Sequence, residues 1–364
     1  MIVSAHRLVT AGHDGPGWLE IEHGVVVARG PGARDGAEAT VVPGFVDMHA
    51  HGALGHDVGS TDAAGLAAVI GYHAARGTTS LVASVATAPL DQLDAAVAFL
   101  RPFVENGELA GSHLEGPYLS PLRRGAHNPG LLRAPRLDEI RALVATGGDT
   151  VRMITIAPEL DGAEESIRWL VANGVVAAVG HSDADAAVAR SAFGWGASVV
   201  THLFNGMRPL HHRDPGIIGA ALTDDRVTVE LILDGQHVAA EAAEIVRRSA
   251  PGRLALVSDS MSATGCGDGD YDLAGSAVRV SNGVATLVAG DSLAGSTATV
   301  STGFGILNDL GTPLPEAVAI TSGTPARALG LAEPLAVGSP GDLLVVDGGR
   351  VARVMRRGVW LASS

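Results

Sequence analysis

The chain contains no lysine, so all 25 of its basic residues are arginines. Schiff-base catalysis, phosphate binding by a P-loop lysine and a metal bridge formed by a modified lysine are therefore excluded. Cys266 is the only cysteine, which excludes an intramolecular disulfide and a zinc site built from cysteines. Any anionic substrate must be held by arginine, by histidine or by backbone N–H groups.

Net positive charge and long apolar runs are also missing. The formal net charge is −14, which argues against nucleic acids and anionic membranes as partners bound through a basic surface. No apolar run reaches the roughly 18 residues of a membrane span. The first residues, MIVSAHRLVT, lack the pattern of a signal peptide. We therefore expect a soluble, cytoplasmic protein.

From residue 41 onward, short apolar segments alternate with Ala-rich amphipathic segments. Parallel strands that are each followed by a helix give this pattern, and eight of them favour a (β/α)8 TIM barrel over an open, doubly wound sheet. An open nucleotide-binding sheet normally has a Gly-rich first turn, and no G-x-G-x-x-G follows an early strand. The eight predicted strands span residues 41–50, 78–86, 110–116, 151–158, 174–182, 197–205, 227–235 and 254–260.

The two ends of the chain have a different pattern. Residues 1–42 and 332–364 contain short β-like pieces separated by turns, such as GWLEIEHGVVVARG and GDLLVVDGGRVARV. We expect both termini to form one small β-sandwich domain, and residues 43–331 to form the barrel. The run DGDYD at 268–272 starts like a calcium-binding loop but lacks the later glycine and glutamate, so we expect a polar loop there.

Six imidazole or carboxylate side chains stand at the C-terminal ends of the predicted strands. His49 and His51 end the first strand, and their imidazoles aim at one point because residues two apart on a strand share a face. Singly, such residues are ordinarily hydrogen-bonded core residues or helix caps. Barrel active sites lie at this face, and a divalent cation would satisfy the whole set. The six are His49, His51, Glu115, His181, His202 and Asp259.

Nitrogen and oxygen ligands without cysteine suit Zn²⁺, with Fe²⁺, Co²⁺ or Mn²⁺ as alternatives. A cation with an open coordination position lowers the pKa of bound water to roughly 7 and polarises a carbonyl. Asp259 is the expected general base beside that water. The predicted reaction class is hydrolysis of an amide, an ester or a related C–N bond.

Loops on the same face carry further polar residues. Arg213, in an RDPG turn, is a reasonable anion contact in a chain without lysine. For Arg208, His211 and His212 we favour solvated loop positions. Cys266 is expected to be inert, since nothing near it indicates a nucleophile. The remaining candidates in these loops are His127, Asn205 and His237.

Ten short segments carry a resemblance to a known family. PGFVDMHAHG, HLEGP, RRGAHNP, APE, GHS, THLFNGM, RDPG, DGQHV, LVSDS and LAGS occur in this order. The chain thereby resembles the N-acetylglucosamine-6-phosphate deacetylases of the amidohydrolase superfamily, from about residue 42 to 330, and its termini fit that family's accessory β domain. Many amidohydrolases have the HxH pattern, whereas HLEGP together with GAHNP, GHS and THLFN is specific to this subfamily.

The resemblance implies a metal centre of one or two ions. Glu115, His181 and His202 match the family's metal ligands. Some members lack histidines at the positions of His49 and His51 and use a single metal. The presence of both histidines in this chain implies that a second metal site can form.

The resemblance also implies the reaction. Asp259 matches the catalytic acid/base, and His127 matches the residue that polarises the acetamide carbonyl. Metal-activated water would hydrolyse the acetamide of N-acetylglucosamine 6-phosphate to acetate and glucosamine 6-phosphate. The implied substrate contacts are His237 to a sugar hydroxyl, backbone donors of Asn205 and Gly206 to the phosphate, and Arg213 to the phosphate, supplied by the neighbouring subunit of a homodimer.

Two alternatives remain open. One is another amidohydrolase, such as a cyclic amidase or an N-acyl-amino-acid deacylase. Many of these bridge two metals with a carboxylated lysine, which this chain lacks, although some use glutamate. The other is a metal-binding relative without catalysis. Such relatives usually lose the acid/base or a ligand, and this chain has both.

Overall fold

The computed structural model describes residues 1–290 and 292–362. Its strands form an eight-stranded, a seven-stranded, a three-stranded and a two-stranded sheet. In chain order, the strands of these residues are β1 (Ile2–Thr10), β2 (His13–Glu22), β3 (Val25–Pro31), β4 (Glu38–Pro43), β5 (Phe45–Ala50), β6 (Gly52–Ala53), β7 (His56–Asp57), β8 (Thr78–Ala86), β9 (Gly111–Glu115), β10 (Val151–Ile156), β11 (Val176–Val179), β12 (Val199–Val200), β13 (Thr228–Ile232), β14 (Leu254–Val257), β15 (Gly269–Leu273), β16 (Ser276–Ser281), β17 (Val284–Leu287), β18 (Leu343–Asp347), β19 (Arg350–Arg356) and β20 (Val359–Trp360).

Helices follow most of the strands in the middle of the chain. No helix in the described ranges is both long enough and apolar enough to cross a membrane. Short 3-10 turns lie at Pro121–Arg123, Pro129–Leu131 and Gly148–Thr150, and a π-helical turn at Ala319–Gly323. The α-helices are α1 (Ala63–Ala75), α2 (Leu90–Glu105), α3 (Leu137–Gly147), α4 (Ala163–Ala172), α5 (Ala186–Trp195), α6 (Gly216–Leu222), α7 (Ala240–Ser249), α8 (Val300–Asp309), α9 (Leu314–Val318) and α10 (Thr324–Ala328).

The predicted (β/α)8 barrel is confirmed. Its parallel strands pair in the order β5, β8, β9, β10, β11, β12, β13 and β14. The ring closes through an isolated parallel bridge between Ala50, the last residue of β5, and Ser260, just past β14. There the Asp259 N–H donates to the His49 carbonyl oxygen at 2.9 Å. Because the strands are parallel, their C-terminal ends meet at one face, which is where the candidate site residues stand.

All eight predicted barrel strands are present, and β8 has the predicted bounds. The first prediction, 41–50, was too long, because its start belongs to β4 in another sheet and only its end to β5. Gly44 joins the two strands, and a Cβ there would collide with the Thr79 side chain. Glycine therefore permits the chain to pass directly from one sheet into the barrel.

Apolar side chains fill the inside of the barrel. Helices cover the outside, so both faces of each strand are buried and the strands read as continuous apolar runs. Ala326 and Leu329, in and just after α10, close the N-terminal end of this core. Burial of each such Val or Met side chain contributes roughly 1.5–3 kcal/mol. The inner core includes Val46, Met48, Val82, Met153, Ala178, Val199, Ile232, Ala255 and Val257.

Both ends of the chain meet in one separate sheet, as expected. Its strand order is β20, β19, β18, β4, β1, β2 and β3. The two termini join where β18 pairs antiparallel with β4, with Leu344 opposite Val42. This sheet has its own apolar cluster, which includes Leu19, Val26 and Met355. The domain boundaries at residues 42 and 332 stay a prediction.

The polar loop expected at 268–272 is corrected by the structure. This stretch forms β15, the first strand of an antiparallel sheet with β16 and β17. Asp270 pairs with Arg279 across that sheet at 2.8 Å. Asp268 accepts the N–H groups of Asn282 and Gly283. The acidic residues therefore brace a hairpin instead of forming a calcium site, and we name this sheet, with residues 288–290 and 292–295, the lid.

His73 on α1 is buried and uncharged. Its Nε2 lies 3.4 Å from the Gly52 carbonyl oxygen and 3.2 Å from the Ser260 hydroxyl. Burial lowers the pKa of His73 from 6.5 to about 4. In the unfolded chain this imidazole therefore takes up a proton at a higher pH than in the folded chain. Neutral His73 therefore contributes its whole share of the folding free energy above pH 6.5, and this contribution is lost as the pH falls towards 4.

We predict that His73→Gln reduces the acid sensitivity of the fold. Lowering the pH from about 7.5 to about 5.5 should cost the wild type about 1 kcal/mol more than this variant, through the titration of His73. Urea unfolding of the metal-loaded protein at both pH values measures the difference. His6→Gln, at an exposed position, is the control and should behave as the wild type does. An equal loss in the His73 variant would contradict the prediction.

Candidate active site

Glu115 ends β9 and lies among imidazoles from other strand ends. Its Oε1 is 3.0 Å from His202 Nε2 and 3.2 Å from His181 Nε2. Its Oε2 is 3.1 Å from His51 Nε2. His181 follows β11, and His202 follows β12. The barrel thus brings together residues that are far apart in sequence, as the strand pattern predicts.

A second group lies beside the first. His49 Nε2 and His51 Nε2 are 3.1 Å apart, so the two imidazoles do aim at one point. Asp259 Oδ1 lies 3.3 Å from His51 Nε2 and 3.6 Å from His49 Nε2. His49, His51 and Asp259 form one group that could hold a metal ion, and Glu115, His127 and His181 form another.

Three of these residues have unusual backbone geometry. His181, His202 and Asp259 have φ values of 46°, 28° and 48°. Positive φ is uncommon for residues other than glycine and costs of order 1–3 kcal/mol. Each lies just after a barrel strand, where this conformation turns the side chain into the mouth of the barrel. The surrounding core offsets the cost.

Hydrogen bonds at the outer ring nitrogens set the histidine tautomers. His51 Nδ1 lies 2.8 Å from the Ser84 carbonyl oxygen, and His181 Nδ1 lies 2.8 Å from the Arg123 carbonyl oxygen. A carbonyl oxygen only accepts, so both Nδ1 atoms carry the proton. In the neutral imidazoles, the Nε2 lone pairs therefore point inward, which is the orientation of a metal-binding histidine.

The charges of this cluster fit a divalent cation. Burial alone would raise the pKa values of Glu115 and Asp259, but the surrounding imidazoles hold both well below their usual range. Burial alone would lower the pKa of His51, but hydrogen bonds to Asp259 and Glu115 raise it to about 10. Two buried carboxylates therefore require positive charge between them. Inward lone pairs without a thiolate suit Zn²⁺ and similar ions.

Two buried residues that support the ligands were missed by the sequence reasoning. Glu230 on β13 is fully buried, and its Oε2 lies 3.2 Å from both His49 Nδ1 and the His202 backbone nitrogen. The His113 ring packs edge-on against His49, with centroids 4.7 Å apart. Both residues are polar positions inside apolar strand segments, VELILDG and GSHLEG, and that contrast was the available signal.

His127 is a neutral hydrogen-bond donor. The Thr87 N–H donates to His127 Nδ1 at 3.4 Å, so the ring proton sits on Nε2. Nε2 lies 3.4 Å from Glu115 Oε2, at the edge of the carboxylate cluster. Burial lowers the pKa of His127 to about 4, more than Glu115 raises it. His127 can therefore donate one hydrogen bond to a substrate oxygen without adding a charge.

His237 is held by a carboxylate that the sequence reasoning did not single out. Asp234 Oδ2 lies 2.8 Å from His237 Nδ1, and Oδ1 accepts the N–H groups of Gln236 and His237 at 2.9 Å. Burial alone would raise the pKa of Asp234, but the bonds from His237 lower it. The loop thus fixes the imidazole so that Nε2 is the atom available to a ligand.

The site opens into a cavity of about 490 Å³ between the strand ends and the lid, which we name the active-site cavity. His49 lies behind His51 and does not line it. Leu273 and Leu287 of the lid form part of its roof. The predicted site residues that line it are His51, Glu115, His127, His181, His202, Asn205, Gly206, His237 and Asp259.

Arg213 does not reach this cavity within one chain. It lies on an exposed loop, with Nη1 2.7 Å from His212 Nε2. Of the two predicted backbone donors, the Asn205 N–H already donates to the His202 carbonyl oxygen at 3.0 Å. The Gly206 N–H makes no hydrogen bond to any described residue.

The chain does place other arginines in the active-site cavity. Arg123 and Arg124 line it, and Arg123 Nε donates to Asp183 Oδ1 at 2.8 Å. Arg208 binds the other oxygen of Asp183 at 3.1 Å. We name the part of the cavity at Arg123 and Arg124 the cationic corner. A Cβ at Gly206 would lie 3.3 Å from the Arg123 carbonyl oxygen, so the cationic corner adjoins Gly206. The signal for Arg123 was the pair of arginines in RRGAHNPG.

Comparison with known proteins agrees with this geometry. Residues 40–361 match the Amidohydrolase family. N-acetylgalactosamine-6-phosphate deacetylase of Escherichia coli O157:H7 is 36% identical over 365 residues, covering 96% of this chain and 95% of that protein. N-acetylglucosamine-6-phosphate deacetylase of Vibrio furnissii is 37% identical over 300 residues, covering 81% and 75%.

A solved structure of an N-acetyl-D-glucosamine-6-phosphate deacetylase from Mycobacterium smegmatis superposes with a TM-score of 0.95. It is 44% identical, covers 99% of this chain and 98% of its own, and is an Asp-to-Ala variant in complex with N-acetyl-D-glucosamine-6-phosphate. The chain described here belongs to the amidohydrolase family and, within it, to the N-acetylglucosamine-6-phosphate deacetylases.

Proposed function

We propose that the protein hydrolyses the acetamide of N-acetylglucosamine 6-phosphate to acetate and glucosamine 6-phosphate. One observation carries the proposal: a single cavity holds a buried cluster of carboxylates and imidazoles, and a cationic corner adjoins that cluster. The cluster of carboxylates and imidazoles suits amide hydrolysis, and the cationic corner suits a phosphate. The relatives from Vibrio furnissii and Mycobacterium smegmatis bear the name of this activity.

The residues that would hold the metal follow from the geometry above. Amidohydrolases depend on metal, and we propose Zn²⁺ here, with Fe²⁺, Co²⁺ and Mn²⁺ as alternatives. Glu115, His181 and His202 would hold one ion, and His49 and His51 would hold a second. When bound, the ion lowers the pKa of water and polarises the substrate carbonyl.

The chain's own residues move the protons. Asp259 removes a proton from the water that adds to the acetamide carbonyl carbon. His127, neutral and protonated on Nε2, donates a hydrogen bond to the carbonyl oxygen as negative charge develops there. Asp259 then delivers its proton to the nitrogen as the C–N bond breaks. One water is consumed, and the amine and acetate leave.

The sugar phosphate lies across the rest of the active-site cavity. The His237 Nε2 contacts a sugar hydroxyl, and Asn205 and Gly206 lie at the phosphate. We propose that Arg123 of the same chain contacts the phosphate. Among the described residues its guanidinium bonds only to Asp183, through Nε, so its two terminal nitrogens remain for the phosphate. Arg213, exposed on its loop, would act on the cavity of a neighbouring subunit in a homodimer. A cytoplasmic location remains a prediction.

A second candidate substrate is N-acetylgalactosamine 6-phosphate. The relative from Escherichia coli O157:H7, which spans nearly the whole chain, bears the name of that deacetylase. The two sugars differ only in the orientation of the hydroxyl at C4. His237 is fixed by Asp234, so the hydroxyl that faces its Nε2 would discriminate between them.

We predict acetate release from N-acetylglucosamine 6-phosphate by the zinc-loaded protein. The measurement compares this sugar with its galacto epimer, with unphosphorylated N-acetylglucosamine and with an N-acetyl amino acid. We expect kcat/KM to be about 100-fold or more higher for a phosphorylated sugar, because its phosphate forms an ion pair with arginine in a partly desolvated cavity. Release from the amino acid alone would favour another amidohydrolase. Release from none would favour a metal-binding relative without catalysis.

We predict that Asp259→Asn lowers kcat by about 1,000-fold or more, because the amide neither accepts nor returns a proton. KM should change little. At least one zinc ion per chain, measured by mass spectrometry, should remain, because Glu115, His181 and His202 are intact. Asp225→Asn, a fully exposed position, is the matched control. Substantial turnover by the Asp259 variant would remove this residue from the mechanism.

We predict that Arg123→Gln lowers kcat/KM for the phosphorylated sugar by about 10- to 100-fold, mainly through KM. The backbone carbonyl that orients His181 is retained, so any slow turnover of unphosphorylated N-acetylglucosamine should be unchanged. Arg190→Gln, at an exposed position on α5, controls for loss of positive charge. If Arg213→Gln raises KM instead and Arg123→Gln does not, the neighbouring subunit supplies the phosphate arginine.

A further inference from the structure

A second cavity, of about 260 Å³, lies at the opposite end of the barrel. We name it the floor cavity. It is lined by the starts of the barrel strands, by the segment after α10 and by part of the terminal sheet. Val46 belongs to β5, Arg152 to β10 and Arg357 to the turn before β20. The floor cavity therefore faces the N-terminal ends of strands whose other ends form the active site.

Arg152 enters this cavity without a partner among the described residues. Its Nε is buried and makes no hydrogen bond there, and no ion pair within the described ranges includes its guanidinium. Gly111 on the neighbouring strand leaves room for the aliphatic part of the Arg152 side chain. A Cβ at position 111 would collide with the Arg152 Cγ. The Arg152 side chain is half-buried, and its Nε is a buried N–H donor without an acceptor. Leaving such a donor unpaired is costly, so the site favours an anion.

The other charged groups of the floor cavity are already engaged. The Arg357 guanidinium donates to the carbonyl oxygens of Asn106 and Gly107. Asp342 accepts the Arg357 backbone N–H at 2.6 Å, and burial raises the pKa of its carboxyl group. Arg152 is thus the cation that remains free among the described residues lining this cavity.

The rest of the wall combines apolar side chains with the hydroxyl groups of Thr79, Ser80 and Ser339. The apolar part is the larger one. It includes Val46, Leu109, Leu331 and Leu335. For comparison, a cavity of about 150 Å³ accommodates benzene. The floor cavity is larger, and its walls would remove an apolar group from water. The floor cavity thus combines one free guanidinium with partly apolar walls, and its volume of about 260 Å³ would admit a substituted aromatic ring.

We propose that the floor cavity is a second binding site, which takes a small carboxylate with a compact apolar body. The carboxylate would accept hydrogen bonds from Arg152, and the apolar body would lie against the leucines that the barrel and the segment after α10 contribute. A ligand there would contact both the barrel and the terminal sheet, and would hold them together. The proposal does not depend on the deacetylase activity at the other end of the barrel.

The test measures binding of 4-isopropylbenzoate to the zinc-loaded protein by calorimetry. The neutral amide of the same acid is the matched ligand. Wild-type protein should bind the acid about tenfold or more tightly than the amide, and Arg152→Gln should lose that preference. Arg190→Gln, an exposed arginine outside the cavity, should bind as the wild type does. The acid should raise Tm by roughly 2 °C in the wild type and in Arg190→Gln, but not in Arg152→Gln.

A carboxylate could instead bind the metal centre, and the assay separates the two sites. If the acid binds in the floor cavity, it should not inhibit acetate release competitively. Ala332→Phe, at an exposed position on the cavity wall, should weaken binding of the acid. Binding that persists in Arg152→Gln and competes with the substrate would place the acid at the metal and overturn the proposal. Absence of binding to the wild type would overturn it as well.

Discussion

The structure of the site depends on one buried carboxylate. Glu115 has three imidazole nitrogens within 3.2 Å, and none of these contacts comes from a neighbour in sequence. Such a group is stable in the interior only if positive charge compensates it, since desolvating a lone carboxylate costs several kcal/mol. Outer hydrogen bonds to Ser84 and Arg123 turn imidazole lone pairs inward, so the arrangement suits a cation better than protons.

The barrel is what makes this arrangement possible. Parallel strands place successive C-terminal ends on one ring, and the apolar inner core supplies the stability that offsets strain at its rim. His181, His202 and Asp259 carry that strain as positive φ. The rim also divides the roles: Asp259 stays ionised beside the imidazoles, whereas burial keeps His127 neutral. This difference suits the roles that we propose, in which Asp259 transfers protons and His127 only donates a hydrogen bond.

The sequence allowed the barrel and most of the candidate cluster to be predicted, because both follow local patterns. An apolar run that ends in a polar residue marks a strand and its functional end in one observation. Glu230 and His113 escaped because they lie inside such runs, where a polar residue was read as part of the strand. The lid was not predicted from the sequence. Asp268 and Asp270 of DGDYD accept hydrogen bonds from residues 279–283, and this pairing exists only once the hairpin has formed.

The end of the active-site cavity that we propose for the phosphate shows where sequence spacing stops being informative. Arg213 and Arg123 are both plausible anion contacts in a chain without lysine, but only the structure shows that one lines the cavity and the other does not. Arginine carries several donors on a rigid plane, so Asp183 can hold Arg123 by Nε and leave donors on its outer edge for an anion. A lysine carries all its donors on one nitrogen atom, so a carboxylate that holds it occupies the same atom that a second anion would need. The absence of lysine is therefore consistent with a cavity in which a carboxylate orients an arginine and leaves part of its guanidinium open to an anion.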